Sequence, residues 1–311
     1  MSEPQLFDRV AIIGCGLIGS SLARAMRRDG MTGEIRACAR SAESRAKIME
    51  LGIADSAHES PAETVEGADL VVLGVPVGTN EAVAQAMAPA LAPEVIVTDV
   101  GSVKQAVIRD VSPYLGSGMH FVPGHPIAGS EHSGPEAGFA DLFENRYCIL
   151  TPPPGTDEAA VERVAALWRR CGARVELMDA KHHDKVLAIT SHLPHLLAYT
   201  IVDTAANLEE SERAEVIRYS AGGFRDFTRI AASDPVMWRD VFLNNRDAVL
   251  EMLQRFSEDI SQLQRAIRWG EGDLLQSIFH KTCEIHRGVI EMGQAGTFDP
   301  REPGSQDGSS S

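Results

Sequence analysis

Apolar residues in the first half of the chain fall into short runs. Val10–Ile13, Ile35–Ala39, Leu70–Leu73, Val95–Asp99, Phe121–Gly124, Cys148–Leu150 and Arg174–Leu177 each read as a strand, with helical patterns between most of them. Near-continuous apolar runs are what strands buried on both faces require. The strand–helix rhythm therefore predicts an α/β fold, a doubly wound and mainly parallel sheet covered by helices, with ligands held beyond the carboxyl ends of the strands. After Leu177 the strand pattern stops and the rest reads as helices. One long helix is expected from Asp234-Pro235, an N-cap followed by proline at the first helical position. It would carry Val249, Leu253, Phe256, Ile260, Leu263 and Ile267 along one seam, which suits either an internal core or the pairing of two subunits. From Phe298 onward there is almost nothing to bury, and a disordered tail is expected.

The first strand opens into chemistry. Val10–Ile13 runs into Gly14-Cys15-Gly16-Leu17-Ile18-Gly19 and then a helix-forming segment. Gly14 permits a tight turn, Gly16 lets backbone approach a pyrophosphate, and Gly19 lets the helix pack closely on its strand; the amides around Leu17 and Ile18 face the phosphates. The glycine pattern is weak by itself, but strand before and helix after make it a dinucleotide-binding prediction. About 20 residues on, an acid would grip the ribose of NAD. Ala39 stands there, followed by Arg40 and Ser41, a pair suited to the 2′-phosphate of NADP. NADP is thus favoured over NAD, the alternative being an Arg40 that stacks on adenine or faces solvent. Val75 and Pro76 after the third expected strand and Ser102 after the fourth complete the expected cofactor contacts. The organisation expected is a Rossmann-type domain over 7–178, a helical substrate and dimerisation domain over 179–297, and a tail over 298–311.

Composition narrows the partners. The formal charge of −15 over 311 residues disfavours nucleic acid and anionic membranes, so an anionic substrate must be held by local arginines. Five cysteines, odd in number and without a CxxC pair, argue against a disulfide framework or a zinc site. No stretch resembles a membrane span, and Met1-Ser-Glu-Pro-Gln has neither the basic nor the apolar part of a signal peptide. A cytoplasmic protein is expected.

Histidines carry the candidate catalysis. Gly124-His125-Pro126-Ile127-Ala128-Gly129-Ser130-Glu131 places His125 in a glycine-bounded loop, where Pro126 disfavours helical backbone at the preceding residue. Imidazole titrates near neutral pH, so beside a nicotinamide it is a candidate base. Ser102 reads as a helix N-cap, and Lys104 as structural or electrostatic. His192 and His195 stand three apart, but Pro194 interrupts them and no third ligand follows, so no metal is expected. His182 and His183 are adjacent, point to different helix faces and are expected at the surface.

Three blocks together carry a resemblance. They are Gly101-Ser-Val-Lys104, Gly124–Glu131, and Ala221-Gly-Gly-Phe-Arg-Asp-Phe-Thr-Arg-Ile-Ala231 continuing to Asp234-Pro-Val-Met-Trp238, with Thr190-Ser-His-Leu-Pro-His195 between the last two. Over residues 8 to 295 the chain resembles the prephenate/arogenate (cyclohexadienyl) dehydrogenases of tyrosine biosynthesis. The resemblance implies oxidation of a cyclohexadienol by NAD(P) with loss of carbon dioxide, in a homodimer. It casts His125 as the base, Ser102 beside the substrate hydroxyl and nicotinamide, and His195 as a second active-site histidine donating to substrate. Arg229 is the candidate carboxylate clamp, since a guanidinium presents two parallel donors, with Arg225 able to share the task. Trp238 resembles an aromatic residue closing the substrate pocket, in its own or the partner's site, and Asp226 one that pairs with an arginine or gates entry. No added regulatory domain and no chorismate mutase segment is expected, so any feedback by tyrosine would act at the active site. Two other readings stand beside this one: a β-hydroxyacid dehydrogenase or imine reductase, which typically relies on a lysine, and a non-catalytic NAD(P)-sensing dimer, which has no need of base and clamp.

Overall fold

Adjacent residues of the first strand go to opposite sides of one sheet. Val10 and Ile12 join a core with Leu22, Met26, Ile48, Val164 and Trp168, while Ala11 and Ile13 join a second core with Val65, Val71, Met87, Val107 and Val111. That two-residue period with both sides buried is why the strands read as unbroken apolar runs. The computed structural model describes residues 4–129, 132–208, 215–216, 218–219 and 221–291, with side chains to 288. Ser130 and Glu131 of the glycine–histidine stretch and the tail expected over 298–311 lie outside the described residues.

The strands are β1 (Phe7–Ile13), β2 (Thr32–Cys38), β3 (Ser56–His58), β4 (Leu70–Leu73), β5 (Ile96–Asp99), β6 (His120–Pro126), β7 (Tyr147–Leu150) and β8 (Arg174–Leu177). The sheet order is β3-β2-β1-β4-β5-β6-β7-β8. Pairing is parallel from β3 to β6, β7 is antiparallel to β6, and β8 is parallel to β7. The sheet thus has one strand more than the pattern of runs predicts, because Ser-Ala-His at β3 has no apolar run to announce it. Helices α1 (Leu17–Arg28), α2 (Ala42–Glu50), α3 (Pro61–Val65), α4 (Asn80–Met87), α5 (Lys104–Val111) and α6 (Glu158–Arg170) cover the sheet. The order reverses between β1 and β4, the switch point at which doubly wound sheets take their ligands beyond the carboxyl ends of the strands.

The antiparallel partner alters one expectation. β7 pairs Leu150, Ile149 and Cys148 with Gly124, His125 and Pro126, so His125 belongs to the end of a strand and not to a loop.

Beyond β8 come α7 (Ala180–Leu187), a π-helical turn (Ala188–His192), α8 (Leu193–Ala206), α9 (Gly222–Thr228), a tight turn (Arg229–Ala232), α10 (Pro235–Asn244), α11 (Arg246–Trp269) and α12 (Gly272–Glu291). The single long helix expected from Asp234 is broken at Asn245, whose side chain is buried and bonded to two other elements. The start is as expected, with Asp234 capping Val236 and Met237 and Pro235 at the first turn. By compactness the chain divides between Met252 and Leu253, a different cut from the change of element type at 178/179. The described part of the second unit is the rest of α11 and α12, joined through Gly270 with φ +68°, and it exposes Ile260, Ile267, Trp269, Phe279 and Ile285. Among the described residues no helix is long and apolar enough to cross a membrane.

Candidate active site

The glycine turn is built as its spacing predicts. Gly14 has φ +93°, and a Cβ there would meet the Gly74 carbonyl oxygen at 2.6 Å and Val75 at 2.9 Å. A Cβ on Gly19 would meet the Gly14 carbonyl at 2.5 Å, so α1 lies close on its strand. In front of Gly16, by contrast, the space a Cβ would take is open. Gly16 begins α1 without a side-chain cap, leaving the first amides, around Leu17 and Ile18, for an outside acceptor. An uncapped helix start beside open space fits a pyrophosphate. Burial pushes the neighbouring Cys15 thiol up to about 12, so it fills space as a neutral thiol. Val75 and Pro76 follow β4 on the same edge of the sheet.

At the end of β2, Arg40 and Ser41 are exposed. The Ser41 hydroxyl caps α2 by accepting from the Ser44 amide at 3.0 Å. Arg45, which the sequence reading did not single out, donates to the carbonyls of Ala39 and Arg40 at 2.9 and 2.7 Å and pairs with Glu59. Two arginines therefore border this loop.

Past β5 and β6 the two catalytic candidates share a buried scaffold. Lys104 is fully buried, and its Nζ donates to Asp99 Oδ2 at 2.5 Å and to the Gly124 carbonyl at 2.6 Å. Asp99 also accepts from the amides of Gly101 at 2.7 Å and Gly124 at 3.2 Å. Burial pushes the carboxyl up and the ammonium down, and each holds the other's charge against that pressure. The pair ties the residue before Ser102 to the residue before His125.

Ser102 does not cap α5. The cap position is Val103, with no side-chain bond, and the carboxylate of Asp184 on α7 serves instead, accepting from the amides of Lys104 at 2.7 Å and Gln105 at 2.9 Å. A full carboxylate suits the positive end of a helix better than a hydroxyl. Ser102 is left half-buried.

His125 is 8% exposed, and its Nδ1 lies 2.8 Å from Nε2 of His183. His183 Nδ1 lies 2.9 Å from Asp184 Oδ1. His183 is thus completely buried at the centre of the site, not at the surface as expected, while its neighbour His182 is exposed. The signal was available in the helical period: His183, Asp184, Leu187 and Ala188 share one buried face of the chain. Burial, with the charges of His183, Lys104 and His192, holds the His125 ring well below the ordinary imidazole range. Burial lowers His183 as well, against the pull of Asp184. For Asp184 burial alone would act upward, but the His183 ring and the two helix amides outweigh it and keep it an ionised carboxylate.

The second histidine set lies in and after the π-helical turn. His195 Nδ1 donates to the Ser191 carbonyl at 2.9 Å, and its ring stacks on Trp238 of the same chain with centroids 3.6 Å apart. A neutral His195 with Nδ1 protonated presents Nε2 as an acceptor, so it donates to a substrate only when charged. His192 packs edge-on against Trp238, and burial pushes it down to about 4. Asn245 donates to Nδ1 of His192 at 3.1 Å and to the Asp184 carbonyl at 2.8 Å. Contacts therefore run unbroken from His125 through His183, Asp184, Asn245, His192 and Trp238 to His195. The structure brings these together; Asp226 on α9 and Arg229 on the following turn are exposed, the turn packing against α8, which carries His195.

A family profile described as "Prephenate dehydrogenase, nucleotide-binding domain" matches residues 22–177, and one described as "Prephenate dehydrogenase, dimerization domain" matches 179–281. Cyclohexadienyl dehydrogenase of Zymomonas mobilis is 43% identical over 89% of this chain and 94% of its own. A crystal structure of prephenate dehydrogenase from A. aeolicus with hydroxyphenyl propionate and NAD+ superimposes with a TM-score of 0.83 at 37% identity, over 93% of this chain and 100% of the other. Synechocystis arogenate dehydrogenase gives 0.76 at 26% identity, over 90% and 99%. An NAD(P)-binding fold followed by a helical domain, with matches across both halves, places this chain in the prephenate dehydrogenase family.

Proposed function

We propose that this chain oxidises prephenate, arogenate or both with loss of carbon dioxide, preferring NADP to NAD. The observation that carries the reading is a neutral, buried His125 on the same carboxyl edge of the sheet as the Gly14–Gly19 turn. Held by the Gly14–Gly19 turn, a nicotinamide cofactor would supply the hydride acceptor. As hydride leaves the hydroxyl-bearing ring carbon, His125 takes the hydroxyl proton, the ring carboxylate departs as carbon dioxide and the ring becomes aromatic. Ser102, beyond β5, orients the reacting hydroxyl. The stacked His195 and Trp238 form a wall of the substrate site, within a substrate and dimerisation domain taken over 179–297. Asp226 and Arg229 lie on its rim, where Arg229 clamps a substrate carboxylate. Following the absorbance of reduced nicotinamide, with prephenate or arogenate and each cofactor in turn, tests the reading. No turnover of either substrate would overturn it.

Arg229→Ala is expected to weaken substrate capture by about 1.5–3 kcal/mol, the scale of hydrogen bonds to a charged group, with cofactor affinity unchanged. Equal loss of both affinities would remove Arg229 from the substrate site.

The NADP preference is supported by the missing acid at the end of β2 and by Arg40 and Arg45 bordering that loop. Arg40→Ala should weaken NADP by about 1.5–3 kcal/mol and barely alter NAD, because only NADP has the 2′-phosphate. A wild-type enzyme that strongly prefers NAD would overturn this assignment. The protein is further read as cytoplasmic, in keeping with five free cysteines, and as a homodimer. Ile260, Ile267, Trp269 and Phe279 are exposed on α11 and α12, and pairing would cover them. Sedimentation at the mass of one 33.6 kDa chain would argue against the dimer.

A further inference from the structure

As a base, His125 can act only through a ring nitrogen that carries a free lone pair. The hydrogen-bond chain behind His125 decides which nitrogen that is. Asp184 Oδ1 accepts from the Lys104 amide at 2.7 Å, and Oδ2 from the Gln105 amide and side chain, so the carboxylate is pinned at the start of α5. A carboxylate can only accept, and His183 Nδ1, 2.9 Å away, must therefore carry a proton. A neutral His183 protonated at Nδ1 has a bare Nε2. The 2.8 Å contact from that nitrogen to His125 Nδ1 requires the proton to sit on His125. Nε2 of a neutral His125 is then left with its lone pair.

We propose that His183 is a positioning residue for the reaction: it accepts from Nδ1 of His125, fixes the ring's tautomer and orientation, and thereby presents Nε2 as the proton acceptor, with Asp184 anchoring the pair to α5. The proposal rests on the assignment of His125 as the base. Three features fit it and are otherwise unexplained. His183 is wholly buried although polar, its ring stands edge-on to that of His125 with centroids 5.1 Å apart, and its carboxylate partner holds a helix that begins two residues after Ser102. Titratable groups facing the pair are Lys104 and Asp99 from α5 and β5, Asp184 from the helix of His183, and His192 from the π-helical turn. When His125 takes the substrate proton, its imidazolium keeps the Nδ1–H bond to His183, with the Asp184 charge one ring further on. No proton need leave the site during the step.

The test uses His183→Asn and His183→Gln in the full-length protein. A glutamine carbonyl can replace Nε2 and still accept from His125, whereas asparagine reaches only as far as Nδ1 and leaves His125 unheld. His183→Asn should lower kcat by about 10- to 100-fold, the effect of misplacing a general base, with KM changed less than threefold, and His183→Gln should recover most of the loss. Nitrogen-15 correlation spectra of the wild-type ring, assigned by the signals missing from His125→Asn, should show Nδ1 protonated and Nε2 bare. Asn and Gln variants of equal activity, a change confined to KM, or a wild-type His125 protonated at Nε2 would each overturn the proposal. If His183→Asn does not fold, the wild-type spectrum and the Gln variant still decide. Failure of the underlying reading looks different: the wild type would then not oxidise prephenate or arogenate, or His125→Asn would turn over normally.

Discussion

Replacing His125 by Asn is expected to lower kcat by about 10²–10⁴, the usual contribution of a positioned general base, while KM moves by a few-fold at most. Asparagine is near in size and its amide can still meet His183, so the change removes the proton acceptor more than the packing. The end of β6 is held by three pairings to β7, which keeps the backbone in place when the side chain changes. Equal thermal stability of variant and wild type, measured alongside turnover, checks that point. A variant with near-normal kcat would show that the proton leaves by another route. The wild-type pH profile gives the same residue a second examination. Protonated His125 cannot accept, so kcat/KM should fall as the solution becomes acid and stay level above. Burial and the charges of His183, Lys104 and His192 depress this ring well below its ordinary value, so the fall should lie below the usual imidazole titration near 6.5. A fall centred at neutral pH or higher would contradict the placement.

Lys104→Met should destabilise the protein by about 3–5 kcal/mol, the cost of leaving the other member of a buried ion pair unmatched. The substitution fills most of the space of the lysine stem but leaves Asp99 with two amide donors and no cation. It also removes the donor to the Gly124 carbonyl, so the loop carrying Ser102 and the strand end carrying His125 are joined only through the Asp99 carboxylate. Denaturant unfolding of the wild type, Lys104→Met, Asp99→Asn and the double variant measures the coupling. The double variant should lose less than the two single losses added together, because each single change strands the partner. Strict additivity, or a loss below 1 kcal/mol for Lys104→Met, would mean that the pair contributes no specific support.

Much of this protein could be read along the chain because the relevant physics is local. A strand buried on both faces must be apolar throughout, so seven of the eight strands announced themselves, and β3, three residues of Ser-Ala-His at the sheet edge, did not. The glycine turn was legible because Gly14, Gly16 and Gly19 answer to conformational and steric demands set within a few residues. His125, Ser102 and His195 stood out by motif, before any geometry. What tertiary structure decided was partnership. Asp184 displaces Ser102 as the cap of α5 across 80 residues of chain, and His183 reaches His125 across 58. Nothing in the local pattern separates His183 from its exposed neighbour except membership of an apolar helix face. The break at Asn245 has the same origin, since a continuous apolar seam favours one helix, and only bonds to Asp184 and His192 explain the buried amide at the junction. Propensity and periodicity act over one or two turns, whereas burying a polar group demands a partner that only the folded chain can supply.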